Sequence, residues 1–169
     1  MVRQGSHARF IACAGRRATY DQFVTARKEP GDRSLLLVDS EGPVAGTSPW
    51  DHVRQRTGDG WERPANASDD DLHFMIECME AWLIADRVAL EQHFQALNQR
   101  ALPGWSELER VPKTDLYAAL DRATPRGNKY DKGPHSFKVL EKVRPAVLRT
   151  ACPSADRFFT ELDRRSSRK

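Results

Sequence analysis

Apolar residues in this chain fall into short runs in its first half and into helical spacing in its second. The clearest run is Ser34-Leu35-Leu36-Leu37-Val38-Asp39-Ser40-Glu41, an apolar stretch that ends in two carboxylates. Bounded by polar residues, it reads as a strand buried on both faces. Residues 9–14 (Arg-Phe-Ile-Ala-Cys-Ala) read as an earlier strand, ended by Gly15. Between the two, residues 19–28 carry Tyr20, Phe23, Val24 and Arg27 at helical spacing, and Pro30-Gly31-Asp32 makes the return turn. Strand, helix, strand in that order implies a right-handed crossover between parallel strands.

Residues 42–71 are rich in Gly, Pro, Asp and Ser and read as an irregular excursion with a short helix over 49–56. Residues 72–78 read as a third strand, passing directly into helices over 79–85 and 87–97. Val111-Pro112-Lys113-Thr114-Asp115 opens a helix whose apolar face is Leu116, Ala119, Leu120 and Ala123. A basic, Gly- and Pro-punctuated loop covers 124–134. Ser136 is placed to cap a helix over 137–143, with Phe137, Leu140 and Val143 facing inward. Helices over 145–151 and 154–165 complete a helical C-terminal half. The pattern is that of an α/β fold with a mostly parallel sheet flanked by helices. It is read as one domain over 1–169, with residues 1–8 disordered and 164–169 a solvated basic tail.

Composition narrows this little. With 169 residues, 39% hydrophobic and 30% charged, the chain can bury a core and is neither disordered nor membrane-embedded. No apolar run is long enough to span a bilayer and no signal-type segment opens the chain, so a cytoplasmic location with no membrane partner is expected. A net charge of +3 does not by itself mark a nucleic-acid binder. Cys13, Cys78 and Cys152 are far apart and lack metal-ligand spacing, so they read as small buried hydrophobes.

Candidate chemistry sits at the strand ends. Ligands of open α/β sheets bind beyond the carboxyl ends of the strands. There, Asp39 and Glu41 offer oxygen ligands to a hard divalent cation, or else lie on a solvated turn. Glu80 follows the third strand; with parallel strands it shares their edge, so three carboxylates converge and must bind a cation or shift their pKa values upward. Its plainer reading is a first-turn helix acid. Asp86, six residues on, reads as a cap or a surface acid rather than a ligand. Lys129-Tyr130-Asp131-Lys132-Gly133-Pro134-His135 could hold phosphate oxygens, although loop lysines are usually just solvated. Lys113 at a helix start adds a cation to an anion-favouring end. His73 reads as a structural strand histidine; His52 and His93 have no evident metal partner. Neither a GxxxxGK[ST] loop nor a GxSxG elbow occurs.

Taken in order, several segments resemble one family. They are Ile11-Ala12-Cys13-Ala14-Gly15-Arg16-Arg17 with Tyr20-Asp21, Leu35 to Pro43, Pro49-Trp50 and Asp59-Gly60-Trp61, then Cys78-Met79-Glu80-Ala81-Trp82-Leu83-Ile84-Ala85-Asp86. Ala101-Leu102-Pro103, Pro112-Lys113-Thr114-Asp115 and residues 129–137 complete the set. Over nearly its whole length the chain resembles the bacterial domain of unknown function 4276 family. That family is similar to Toprim domains, the metal-binding fold of topoisomerases, primases and related nucleases. The resemblance implies a Toprim-like fold with Asp39 and Glu41 as its acidic pair and Glu80 as a further metal ligand, holding Mg²⁺ or Mn²⁺. It matches Lys113, Lys129, Lys132 and His135 to the family's basic positions; a nuclease reading then puts Asp39, Glu41, Glu80, Lys113 and His135 in catalysis and Lys129, Lys132 and Arg16 at phosphate.

The implied activity is phosphodiester hydrolysis of nucleic acid, in an anti-phage defence system with an ATPase partner. Two departures matter, and the missing first Glu favours a catalytically degenerate, Toprim-like binding module, with a late start or a partner that completes the site as the alternatives. The chain has Asp39-Ser40-Glu41 where Toprim domains carry Asp-x-Asp, and its match starts after the family's first strand, which ends in Glu-Gly-Gly. Residues 1–8 hold no substitute, so apolar surface is expected on the neighbours of that strand, with a tendency to associate. A structural α/β protein without metal chemistry is the third expectation.

Overall fold

A computed structural model of the chain describes residues 9–167; the disorder expected over 1–8 and the last two residues of the basic tail lie outside them. In chain order the elements are α1 (Arg16–Ala26), β1 (Leu36–Asp39), α2 (Pro49–Gln55), β2 (Leu72–Met75), α3 (Glu80–Ala85) and α4 (Arg87–His93). Then follow α5 (Lys113–Ala123), α6 (Lys132–Leu140), α7 (Pro145–Ala151) and α8 (Pro153–Ser167). The fold is α/β, as its apolar pattern implies, with β1 and β2 paired in a small parallel sheet and about half the chain helical.

The sheet is smaller than expected. Residues 9–14 form no strand, and Phe10 and Ile11 are 70% and 58% exposed. Strand propensity alone makes no ladder; an extended segment needs a neighbour to take its backbone groups. β1 buries alternate residues, Leu36 and Val38, rather than both faces. β2 stops at Met75, three residues early, because Glu77 turns into the left-handed region at φ 60° and Cys78 N–H bonds back to the Ile76 carbonyl at 2.8 Å. α6 begins at Lys132, not at 137, because the Asp131 carboxylate accepts the Gly133 N–H and caps it. The earlier start turns Ser136 and Val139 inward and leaves Phe137 54% exposed.

The chain divides into two compact units. One comprises Met1–Val38, Val44–His73 and Arg157–Lys169. Its core holds Phe23, Trp50, Val53 and Trp61. Trp61 stacks on Tyr20 with centroids 4.7 Å apart and carries the Arg16 guanidinium over its ring. In the loop before α2, Gly46 (φ 91°) has no room for a side chain: a Cβ would lie 2.6 Å from Asp51 Cβ. Two carboxylates are clasped by arginines, Asp59 by Arg16 and Arg56, Asp71 by Arg27 and Arg165. The basic tail is thus not a frayed end over its described part: α8 runs to Ser167, and Arg165 is a built-in partner of Asp71 and Glu161.

The second unit comprises Asp39–Pro43 and Phe74–Asp156. Ala81, Trp82, Leu83 and Ile84 make α3 a wholly buried helix, packed by α4, α5, α6 and α7. The α5 face Leu116, Ala119, Leu120 and Ala123 is buried as its spacing requires. Each such leucine contributes about 1.5–3 kcal/mol of apolar burial. Asp86 is the cap expected of it: its carboxylate accepts the Ala89 N–H of α4 and the Arg144 N–H before α7, and pairs with the Arg144 guanidinium. Those hydrogen bonds from Arg144, against the opposing effect of burial, lower Asp86 to about 2. Cys78 and Cys152 are buried as read; Cys13 is only half-buried.

Candidate functional site

In the second unit β1 ends in Asp39-Ser40-Glu41, and the strand it pairs with passes through Ile76-Glu77-Cys78 into α3. The ends are sewn together beyond the ladder. Ser40 N–H donates to the Met75 carbonyl and Glu41 N–H to the Glu77 carbonyl, each at 3.0 Å. The Ser40 hydroxyl accepts the Glu77 N–H at 2.8 Å and donates to the Gly42 carbonyl at 2.6 Å. Among the described residues the two non-glycine positions at positive φ are Glu41 (61°) and Glu77 (60°), hydrogen-bonded to each other. Left-handed backbone costs a side-chain-bearing residue roughly 1–2 kcal/mol. Such strain persists only where the surroundings over-determine it, as at binding and catalytic sites.

Four carboxylates project from this knot, and each meets a defined partner. Asp39 Oδ1 accepts the Met79 N–H at the start of α3 (2.8 Å), while Oδ2 takes Lys132 Nζ from α6 (3.0 Å). Glu41 Oε2 takes Lys113 Nζ from α5 at 2.8 Å. Glu77 Oε2 accepts the backbone N–H of the same Lys113 at 3.2 Å, so an internal carboxylate sits at the α5 N-terminus. Glu80, fully buried, accepts the Tyr130 hydroxyl on Oε1 at 2.6 Å. Its Oε2 is buried with no hydrogen bond, and Lys132 Nζ stands 3.9 Å from it.

Burial raises the Asp39 carboxyl, and the neighbouring Lys132 charge only partly reverses this. Burial opposes the Lys132 charge too, but the Asp39 field and hydrogen bond, with Glu80 behind them, raise it overall. Burial and then Glu80 raise the phenols of Tyr130 and Tyr117 and the thiol of Cys78, so all three stay protonated at neutral pH. Cys78 is therefore no nucleophile.

Of the residues chosen from sequence, Asp39, Glu41, Glu80, Lys113 and Lys132 come to this knot. The carboxylates do not close into one cage. Asp39 and Glu80 share Lys132, whereas Glu41 is drawn to Lys113. Among the described residues no group of three or more His, Cys, Asp or Glu is arranged to hold a metal ion. Lys129 bonds the Asp121 carbonyl and carboxylate on α5 instead. His135 Nδ1 lies 2.8 Å from His93 Nε2, with burial and then His135 lowering the His93 pKa. Arg16 belongs to the other unit and clasps Asp59.

Sequence reasoning missed Glu77, Tyr117, Ser40 and the partner of His135, and it read Tyr130 as part of a phosphate-holding loop where the structure pairs it with Glu80. Glu77 carried one signal, its spacing of three from Glu80 across a strand-to-helix junction. The pairing of Tyr117 and Tyr130 with Glu80 carried none, since only the folded α5 and the loop before α6 bring the two phenols there.

The chain matches the family model described as Domain of unknown function (DUF4276) over residues 4–163, and it belongs to that family. No curated protein and no solved structure matches it.

Proposed function

From this membership and this knot of acids and lysines, we propose that the second unit is a Toprim-like site for Mg²⁺- or Mn²⁺-dependent phosphodiester hydrolysis, a nuclease. The observation that carries the reading is the pair Asp39 and Glu80 around one positive charge, Lys132 Nζ, with Glu80 Oε2 buried and lacking a hydrogen bond. A buried carboxylate costs several kcal/mol unless something cationic completes it, and Lys132 Nζ at 3.9 Å holds that place here. Hard carboxylate donors suit Mg²⁺ or Mn²⁺, so the residues present fit such an ion.

Asp39 and Glu80 would hold the ion, with Glu41 as the nearby third carboxylate. When bound, it supplies Lewis acidity at a phosphoryl oxygen. Lys113 and Lys132 donate to non-bridging phosphate oxygens and offset the charge that develops on them. Tyr130, held protonated, fixes the Glu80 carboxylate in place. An anti-phage role beside an ATPase partner belongs to the same proposal and rests on the family resemblance alone. A cytoplasmic location goes with it; no helix among the described residues is long and apolar enough to cross a membrane.

The test is cleavage of single-stranded and duplex DNA and RNA with Mg²⁺ or Mn²⁺. Wild type is expected to cleave one of these, and Asp39→Ala to be slower by at least about 100-fold, the scale of losing one electrostatic group. Equal rates overturn the assignment. A second reading, a non-catalytic binding module, is favoured by the lysines that already neutralise Asp39 and Glu41. It expects no cleavage and no rise in Tm with millimolar Mn²⁺, since a ligand bound only by the native state must stabilise it.

A further inference from the structure

The groups suited to binding a phosphodiester and those suited to binding a cation are here bound to each other. Lys113 Nζ is held by Glu41 at 2.8 Å and its backbone N–H by Glu77 at 3.2 Å. Lys132 Nζ is held by Asp39 at 3.0 Å, with Glu80 at 3.9 Å. Both ammonium groups that α5 and α6 bring to the knot therefore already carry an internal carboxylate. Counted as ionised groups, the four carboxylates Asp39, Glu41, Glu77 and Glu80 exceed the two ammonium groups by two negative charges. A nucleic-acid phosphate approaching this knot meets net repulsion. One divalent cation would cancel that excess.

Resting on the reading of the preceding section, we propose that Lys113 and Lys132 form a phosphodiester clamp that the site's own carboxylates keep closed. The clamp opens when Asp39, Glu41 and Glu80 turn to a divalent cation. Cation and phosphodiester then bind with positive coupling, and by linkage each raises affinity for the other by the same factor. The strained backbone of Glu41 and Glu77 fits this role. Two side chains on left-handed residues, tied back to back, hold the closed arrangement at a cost that rearrangement can release. The device would keep the protein off nucleic acid when no cation is bound.

The experiment measures binding of a short fluorescein-labelled single-stranded DNA by anisotropy, with and without Ca²⁺ at low ionic strength. Wild type is expected to bind at least about tenfold more tightly with Ca²⁺, within the usual range of coupling. Glu41→Gln removes the carboxylate from Lys113 and Asp39→Asn removes it from Lys132. Each should raise affinity without Ca²⁺ several-fold and shrink the Ca²⁺ effect. Thermal unfolding near the wild-type temperature shows that the variants are folded. A Ca²⁺ effect below twofold in wild type overturns the proposal, as does failure of both variants to gain affinity without the ion. The nuclease reading fails separately, through the cleavage assay. A chain that never cleaves but gains DNA affinity in both variants still has the clamp; one that cleaves but shows no coupling does not.

Discussion

Both units clasp buried carboxylates with arginine, Asp86 by Arg144 in the second, but the strand-end acids of the second unit are satisfied differently. In the first, Asp59 and Asp71 are met by planar guanidinium groups: Arg16 at 2.6 Å and Arg56 at 3.1 Å, Arg165 at 2.8 Å and Arg27 at 3.5 Å. Asp71 also closes a capping box with Ser68. Burial opposes both charges, yet the hydrogen bonds and fields of their partners leave both carboxyls below the usual range. In the second unit the partners of Asp39 and Glu41 are lysines, the Asp39 carboxyl is raised, and Glu80 keeps one oxygen without a hydrogen bond. Arginine forks lock a carboxylate; a lysine is a point charge on a flexible stem and is easily displaced. On the proposed function, the arginine-clasped acids are structural and the lysine-paired ones are the binding groups.

The sharpest way to break this contrast is to neutralise one acid of each kind. Asp71→Asn leaves Arg27 and Arg165 facing an amide and weakens the cap, and should destabilise by about 3–5 kcal/mol, the scale of breaking a buried ion pair. Asp39→Asn keeps an oxygen for the Met79 N–H and removes a carboxylate that burial disfavours. It should stay within about 1 kcal/mol of wild type, as for a partly exposed pair. Urea unfolding measures both. Similar losses would dissolve the distinction.

The first unit also holds His73 on β2, its Nε2 bonded to the Asp70 carbonyl at 3.0 Å and its ring edge against Phe158. Burial lowers this imidazole to about 4. Because the folded value is depressed, its contribution is fully present above the unfolded pKa near 6.5 and is lost as pH falls from there through 4. The loss reaches on the order of 3 kcal/mol at 1.36 kcal/mol per pKa unit. Asp59 and Asp71 act in a lower window, giving up their contributions only as pH falls below about 4. Unfolding free energies between pH 7 and 4.5 should slope downward in wild type and flatten in His73→Gln. A slope unchanged in the variant would assign it to other groups.

Local patterning carried most of the fold and the acids, but not their partners. The run at 35–38 became β1, the first four residues of the run at 72–78 became β2, and the α5 face is buried as its spacing required. The segment 9–14 failed because a strand is defined by its neighbour, and the register of α6 because the capping power of Asp131 outweighed that of Ser136. Asp39, Glu41 and Glu80 were legible since parallel strands carry the residues at their ends to one edge whatever the sheet size. Glu77 was not, because its role depends on a left-handed turn that nothing in Ile76-Glu77-Cys78 announces. Lys113 and Lys132 were legible as cations, yet their pairing with the acids follows from how α5 and α6 pack on α3.

The smallest effect probes the backbone under the second unit's acids. At Glu41, with φ 61°, alanine removes the Lys113 partner and keeps the strain, whereas glycine removes both. The two variants lose the same ion pair, so their difference isolates the conformational term. Glu41→Gly should exceed Glu41→Ala in stability by about 1 kcal/mol, net of the extra entropy glycine gains when unfolded. In the first unit the arginine-clasped acids sit in ordinary backbone, where glycine is expected to be the worse replacement. Finding glycine no better than alanine at 41 would mean that the knot stores no strain, and that the acids there are held by side-chain contacts alone.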